Sequence, residues 1–306
     1  MYQENSTNTQ PLVSFITLNW NNTDVTCEFL ESTRKLTWKN YEILVCDMNS
    51  DIDPSERIGS KNYPNTRVIR SNKNLGWGPG NNWGMRQARG EFLFVVNNDT
   101  EITPGLIEAL VDPFFEDKTI GITCPKIRFF HNPQVIQYAG FNPINNLTGR
   151  NTSVGNCEVD KGQHDIRSFT FSAHGCAMMI KKKVLDKVGM FPEKFFIYYD
   201  EMDLSARVIK GGYKILYEPK GLIFHKESMA MGKKSSIKTY YHTRNRILYM
   251  RRNTSSLQFA CFISFFLLFS TPKATLKFMA EKKFGHVKSF FRGIAWNFRE
   301  SKYSVQ

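Results

Sequence analysis

Three acids fall within four positions in FFIYYDEMD (residues 195–203), namely Asp200, Glu201 and Asp203, directly after a run of aromatic side chains. A carboxylate beside apolar rings is desolvated, which raises its proton affinity toward the range of a general base. A second acid, Asp99, closes the unbroken apolar run of FLFVVNNDTE (residues 92–101). Apolar runs without alternation read as strands buried on both faces of a parallel sheet, and open α/β sheets bind ligands at the carboxyl ends of such strands. An aspartate placed there suits a hard cation carrying phosphate oxygens. His225 ends another apolar segment, LIFH (residues 222–225). A strand-end histidine is most often structural, and its value depends on whether the fold brings it to Asp99. Helix capping competes with chemistry at both acidic sites. Asn98, Asp99 and Thr100 are ordinary cap residues ahead of Pro104, and Asp200, Glu201 and Asp203 would equally suit the first turn of a helix.

The elements that must position these groups are legible in order. LVSFITL (12–18), YEILVC (41–46), a short segment 66–69 and FLFVV (92–96) read as strands, with helices predicted over 23–36, before Arg89, and from Pro104 to about 116. Strands alternating with helices at this spacing predict an α/β fold with a parallel, doubly wound sheet. The second strand also ends on an acid, Asp47. The glycine-rich NLGWGPGNNWG (74–84) lacks the G-x-G-x-x-G spacing, because Asn81 takes the place of the last glycine. It reads either as a flexible turn or as a turn bringing backbone N–H groups close to phosphate. Residues 131–167 are Asn-, Gly- and Gln-rich and predict a functional or disordered loop. Asp200, Glu201 and Asp203 head a predicted helix through Lys210, stopped by Gly211-Gly212, with short strands at 213–217 and 222–224.

The formal charge of +13 over 306 residues is unevenly placed: residues 1–225 carry 25 basic and 25 acidic side chains, residues 226–306 carry 16 and 3. The tail therefore calls for an anionic partner, membrane or nucleic acid. Its uncharged FACFISFFLLFS is an apolar core of about a dozen residues, short of the ~20 a spanning helix needs. Phe284, Val287, Phe291, Ile294 and Phe298 then recur at helical spacing among lysines and arginines, as in a helix lying on an anionic leaflet. Those aromatics follow a helical period and do not form a stacking platform, which argues against nucleic acid. The first eleven residues are polar and do not resemble a signal peptide, and six cysteines without C-x-x-C spacing read as reduced thiols of a cytoplasmic protein.

Eight segments in one order, VSFITLNWN, CDMNSD, NLGWGPGNNWG, FLFVVNNDTEITPG, HGCAMMIKKKVLDKVGMF, FFIYYDEMDLSARVIKGGY, IFHKES and YYHTRNRILYMRRN, span roughly residues 13–253. Together they resemble the inverting glycosyltransferases of family 2, which have the GT-A fold, and in particular the rhamnosyltransferase-like branch. The resemblance implies a GT-A catalytic domain over residues 1–225 with a Rossmann-like, mostly parallel sheet, followed by a basic helical region over 226–306. It implies that Asp47 binds the nucleotide base beside Thr17 and Asn19, and that Asn74, Gly76 and Asn82 line the nucleotide–sugar cleft. Asn97-Asn98-Asp99 takes the place of the family's Asp-x-Asp, with Asp99 and His225 holding Mg²⁺ or Mn²⁺ on the diphosphate. Asn97 removes one charge from that motif. Glu201 matches the catalytic base, although the family's Glu-Asp pair is reversed here to Asp200-Glu201. The expected reaction moves a sugar from a dTDP- or UDP-linked donor to a glycan or lipid-linked acceptor of the cell envelope, at the inner face of the cytoplasmic membrane. A sugar nucleotidyltransferase would not need the aromatic-plus-acid block. A non-catalytic nucleotide-sugar binding protein is the rival that the Asn97 and Asp200-Glu201 departures allow.

Overall fold

The computed structural model describes residues 10–226 and 235–301. Residues 1–9, and Glu227 and Ser228 of the IFHKES segment, lie outside the described residues. The first half alternates as expected: β1 (Val13–Asn19), α1 (Thr23–Thr33), β2 (Tyr41–Asp47), α2 (Ser55–Gly59), β3 (Thr66–Arg70), α3 (Trp77–Gln87) and β4 (Phe92–Val96). These four strands pair in parallel in the order β3-β2-β1-β4. Every residue of β4 is buried, as its unbroken apolar run requires.

Beyond β4 the sheet is mixed. β5 (Thr100–Ile102), α4 (Leu106–Val111), α5 (Pro113–Glu116), β6 (Ile120–Phe129), β7 (Asn132–Tyr138), β8 (Ser168–Phe169), β9 (Ala177–Lys181), α6 (Lys182–Val188), α7 (Asp200–Lys210) and β10 (Lys214–His225) follow. β9 inserts antiparallel between β4 and β6, β10 lies parallel to β6, and β5 pairs antiparallel with β10 at the edge. The two short strands expected at 213–217 and 222–224 are one strand, β10, with a register shift between Glu218 and Leu222. The helix expected from Pro104 to 116 is broken in two, because Pro113 lacks the N–H that would continue it. The segment 131–167 is neither featureless nor a plain loop. β7 pairs with β6, and isolated bridges join Val135 to Val159, Phe141 to Ser153 and Asn145 to Arg150.

The glycine-rich stretch is itself helix, the first turns of α3. A Cβ at Gly80 would lie 2.9 Å from the Met48 Sδ, and one at Gly84 would lie 2.6 Å from the Cys46 Sγ. The glycines therefore let α3 pack directly on the sheet. At the helix N-terminus the Trp77 N–H is taken up by the Phe196 carbonyl, to which it donates at 2.6 Å.

Four helices complete the described residues: α8 (Ser236–Asn253), α9 (Ser256–Phe265), α10 (Thr271–Ala280) and α11 (Phe284–Arg299), with the π-helical turn Phe266–Ser270 joining α9 to α10. A second hydrophobic cluster joins Phe195 and Tyr199 to Ile247 and Leu248 of α8, Phe262 of α9, Phe266 and the Phe290 and Ile294 of α11. α11 has two apolar faces where one was expected. Phe290, Gly293 and Ile294 face α8, so closely that a Cβ at Gly293 would lie 2.8 Å from the Tyr240 carbonyl, while Phe284, Phe291 and Phe298 stay exposed. The apolar segment is also longer than its dozen-residue core implied. Ser256–Ala280 is one helical stretch of 25 residues, long and apolar enough to cross a bilayer by length and composition.

Candidate active site

Five side chains form a polar chain along the strand ends. Asn19, the last residue of β1, donates from Nδ2 to the Asp47 carboxylate at 2.8 Å and to the Ser50 hydroxyl at 3.2 Å, and its Oδ1 accepts from the Thr26 hydroxyl at 2.8 Å. Asn98 donates to that same Thr26 oxygen at 2.8 Å. The parallel register of β1 and β2 sets Asn19 opposite Asp47, so this link follows from strand pairing. Asp47 is fully buried and also accepts from the Ser50 N–H at 3.1 Å, with the Arg70 guanidinium 3.4 Å away. Thr17, also fully buried, keeps a hydroxyl with no hydrogen-bond partner among the described residues. Asn74 accepts the Gly76 N–H at 2.9 Å, and Gly76 takes φ +86° with no room for a Cβ beside Phe196.

Asn82 stands apart from this group. It is buried, and its amide is fully engaged with the Phe191 backbone, donating at 2.7 Å and accepting at 3.0 Å. It pins Phe191, in the segment leading to α7.

Asp99 and His225 do meet. The antiparallel pairing of β5 with β10 sets His225 opposite Thr100, and His225 Nε2 lies 3.1 Å from Asp99 Oδ1. His225 Nδ1 donates to Gln137 Oε1 at 2.8 Å, which orients the ring and turns Nε2 toward the carboxylate. Asp99 Oδ1 is buried without a hydrogen-bond donor among the described residues. A separation of 3.1 Å is roughly that of two adjacent ligands on one cation with bonds of about 2.1 Å. One orphaned carboxylate oxygen beside one imidazole nitrogen thus fits two positions of a divalent cation's shell. Asn97, at the first position of the altered motif, accepts the Trp77 indole N–H at 3.0 Å. His174, whose ring centroid is 6.4 Å from that of His225, is neutral: burial, then the neighbouring His225, push its pKa down to about 3.

The acids of α7 divide by environment. Asp203 is structural. Its buried carboxylate accepts from Arg207 Nε at 2.8 Å, Arg252 Nε at 2.7 Å and Asn253 Nδ2 at 2.8 Å, tying α7 to the end of α8. Burial alone would raise its pKa, but the two guanidiniums outweigh it and hold the carboxyl below the usual range. Asp200 is buried beneath α3, where a Cβ at Gly78 would lie 2.7 Å from its Oδ2, and that oxygen has no hydrogen-bond partner. Burial, then the Glu201 charge, raise its pKa well above the carboxylate range. Glu201 is half-buried and is also raised by burial. A Cβ at Gly175 would lie 3.8 Å from the Glu201 Cδ and 3.7 Å from the Trp77 Cζ2, so Glu201 faces the same wall as the Trp77–Asn97 pair.

The backbone that delivers these acids is strained. Phe196, Tyr198 and Tyr199 all have positive φ, at 64°, 66° and 69°, a conformation that costs aromatic residues about 1–3 kcal/mol each. Asn245, fully buried on α8, holds it. Its Nδ2 donates to the carbonyls of Phe195 at 3.0 Å, Ile197 at 2.7 Å and Tyr198 at 2.9 Å. Arg244 donates to the carbonyls of Lys194 and Phe195 at 2.7 and 2.6 Å and to Asn245 Oδ1 at 2.7 Å. Sequence reasoning gave neither residue a role. The available signal was the RNR triplet inside an otherwise ordinary helix.

With this geometry in place the comparisons are decisive. A family model described as Glycosyl transferase family 2 matches residues 14–189. The chain belongs to glycosyltransferase family 2. Within this family it is rhamnosyltransferase-like. It is similar to the N-acetylglucosaminyl-diphospho-decaprenol L-rhamnosyltransferase of Mycobacterium tuberculosis, 23% identical over 242 residues, covering 72% of this chain and 78% of that one. It is similar also to the O-antigen chain rhamnosyltransferase WbaN of Salmonella anatum, 25% identical over 216 residues, covering 68% and 62%. Among solved structures it resembles the mannosyltransferase PcManGT of Pyrobaculum calidifontis in complex with GDP-Man and Mn²⁺, with TM-score 0.57 and 14% identity over 95% of this chain and 76% of that one. It resembles S. aureus TarS 1-349 in complex with UDP-GlcNAc similarly, with TM-score 0.58 and 18% identity over 92% and 81%. These likenesses are of fold, and the glycosyltransferase has the GT-A fold that the sequence implied, with helices α8–α11 added behind the acid-bearing loop.

Proposed function

We propose that this glycosyltransferase is inverting and cation-dependent, and that it moves a deoxyhexose such as rhamnose, or another hexose, from a dTDP- or UDP-linked donor to a hydroxyl of a glycan or lipid-linked acceptor. The observation that supports the reading is the approach of His225 to Asp99, together with Trp77, which donates to Asn97 two residues before Asp99 and shares the Gly175 wall with Glu201. The two M. tuberculosis and Salmonella relatives are rhamnosyltransferases by name, one of them acting on a diphospho-decaprenol-linked sugar, which supports the donor and acceptor classes. Asp99 and His225 would hold Mg²⁺ or Mn²⁺, which when bound supplies charge neutralisation for the leaving diphosphate. Asp47, Asn19, Thr17, Asn98, Asn74 and Gly76 bind and orient the nucleotide sugar. Glu201 takes the proton from the acceptor hydroxyl as its oxygen attacks the anomeric carbon. The bond to the diphosphate breaks on the opposite face, and the configuration inverts in one displacement. Asp200 is read as the neutral partner of Glu201. The exposed Leu267, Leu268, Phe269 and Phe291, beside an excess of lysine and arginine, support peripheral attachment to the inner face of the cytoplasmic membrane.

A thermal-shift panel of dTDP, UDP and GDP, each with and without Mn²⁺, tests this on the wild type and Asp99→Ala. A cation-dependent shift with dTDP or UDP that disappears in the variant is the expected result. No shift with any nucleotide would reject the reading and favour a protein without transferase chemistry.

A further inference from the structure

We propose that Arg150, Lys238 and His242 form a subsite for the diphosphate linker of a polyprenyl-linked acceptor, between Glu201 and the apolar helix Ser256–Ala280. The proposal rests on the transferase reading and names the acceptor class for it. Lys238, His242 and Arg246 recur every fourth residue and so share one face of α8. No carboxylate among the described residues pairs with the charges of Lys238 or Arg150, and His242 lies beside them as a neutral imidazole. An anion is the missing partner.

Their placement is fixed by neighbours. The turn leading to Arg150 closes with the Asn145 N–H donating to the Arg150 carbonyl at 2.8 Å. It docks on α8 through Arg246 Nε, which donates to the Thr148 carbonyl at 2.5 Å, and through the Tyr199 hydroxyl, which donates to the Gly149 carbonyl at 3.1 Å. Arg246 is itself buried, so it positions the turn and leaves anion contact to the exposed Arg150. The His242 ring stacks on Tyr198 at 4.2 Å, and Lys238 Nζ lies 5.7 Å from the same ring centroid. Burial of the imidazole against that ring, then the charges of Lys238 and Arg150, push the His242 pKa down to about 4. Tyr198 lies three residues before Glu201, in the strained loop that enters α7. One short loop thus joins the Glu201 position to the cationic group, an arrangement suited to a sugar standing between its reacting hydroxyl and its diphosphate.

On its far side the cationic group meets hydrocarbon. The Arg246 guanidinium faces the rings of Phe262 and Phe266 at 5.7 and 5.0 Å. From there the helix presents Leu267, Leu268 and Phe269, all exposed. Carboxylate, cations and apolar helix in that order match a molecule made of sugar, diphosphate and polyprenyl chain.

The test uses the full chain carrying Asp99→Ala in EDTA, so that donor-site capture of diphosphate is suppressed. Binding of farnesyl diphosphate and of farnesol is measured by titration calorimetry, with and without the further pair Arg150→Ala and Lys238→Ala. The expected result is that farnesyl diphosphate binds at least tenfold more tightly than farnesol, and that the pair of substitutions removes about tenfold of that affinity. Equal binding of the two probes, or no loss in the substituted chain, would overturn the subsite. Phosphatidylglycerol vesicles that displace farnesyl diphosphate as well as unlabelled probe does would make it a lipid-headgroup site and overturn the acceptor assignment. The nucleotide-induced thermal shift, measured on Arg150→Ala/Lys238→Ala with Asp99 intact, is expected to match the wild type. It reports both the fold and the donor reading independently of the acceptor subsite.

Discussion

Glu201→Gln and Asp200→Asn separate the two carboxylates. Asp200 lies buried beneath α3 with one oxygen unpartnered, and burial followed by the Glu201 charge raises its pKa well above the carboxylate range. Of the two carboxyls it is therefore the one that keeps its proton to higher pH, and asparagine reproduces the neutral, hydrogen-bearing form at nearly the same size. Asp200→Asn is expected to keep kcat within about tenfold of the wild type. Glu201→Gln keeps the shape but removes the base, and general-base help of about 10²–10⁴-fold corresponds to about 2.7–5.4 kcal/mol of barrier. The assay is release of nucleotide diphosphate under saturating donor and acceptor, followed across pH. Burial also raises Glu201, so activity should fall on the acid side at a pH above the ordinary glutamate value of 4.5, with Asp200→Asn leaving that limb in place. A collapse in Asp200→Asn as deep as in Glu201→Gln would refute the division of roles, and a collapse in Asp200→Asn alone would make Asp200 the base.

Two further substitutions probe the framework. Asn245→Ala removes the donor shared by three carbonyls of the strained loop, so kcat should drop at least tenfold while the nucleotide-induced thermal shift is kept; an unchanged kcat would remove Asn245 from the positioning of Glu201. Asp203→Ala leaves Arg207 and Arg252 without their shared carboxylate, a loss of about 3 kcal/mol seen as a lower Tm. Because the folded-state pKa of Asp203 lies below its ordinary 3.8, that stabilisation is complete above pH 3.8 and is lost as pH falls through the folded value. The Tm gap between variant and wild type should therefore be constant from pH 5 to 8 and close only in stronger acid.

What was legible in the sequence was local. An apolar run ending in Asp99, a second ending in Asp47 and an aromatic run ending in Asp200-Glu201 each announce themselves within about ten residues, because burial and strand ends are written into neighbouring positions. The meeting of Asp99 with His225 was not, since it depends on β5 folding back against β10 across more than a hundred residues. The bonding of Asn82 to the Phe191 backbone was not legible, because an asparagine after a glycine-rich turn gives no sign whether its amide faces a ligand or a backbone. The insertion of β9 between β4 and β6 was hidden for a related reason: a fully buried strand reads the same whether its neighbours run parallel or antiparallel. Asn245 was the deepest omission, as its three partners lie 47–50 residues earlier and are main-chain atoms, which carry no sequence signature.

The Asn245 clamp also bears on how such chains can be shuffled. Most of the nucleotide side comes from residues 13–99, with His225 of β10 completing it at Asp99. The acceptor side is split, with its carbonyls at 195–198 and their donors at 244–245. A recombination breakpoint between β10 and α8 looks harmless on a secondary-structure map, yet it would inherit the wall from one parent and the bracing from the other. Viable hybrids should therefore carry residues 195–253 from a single parent.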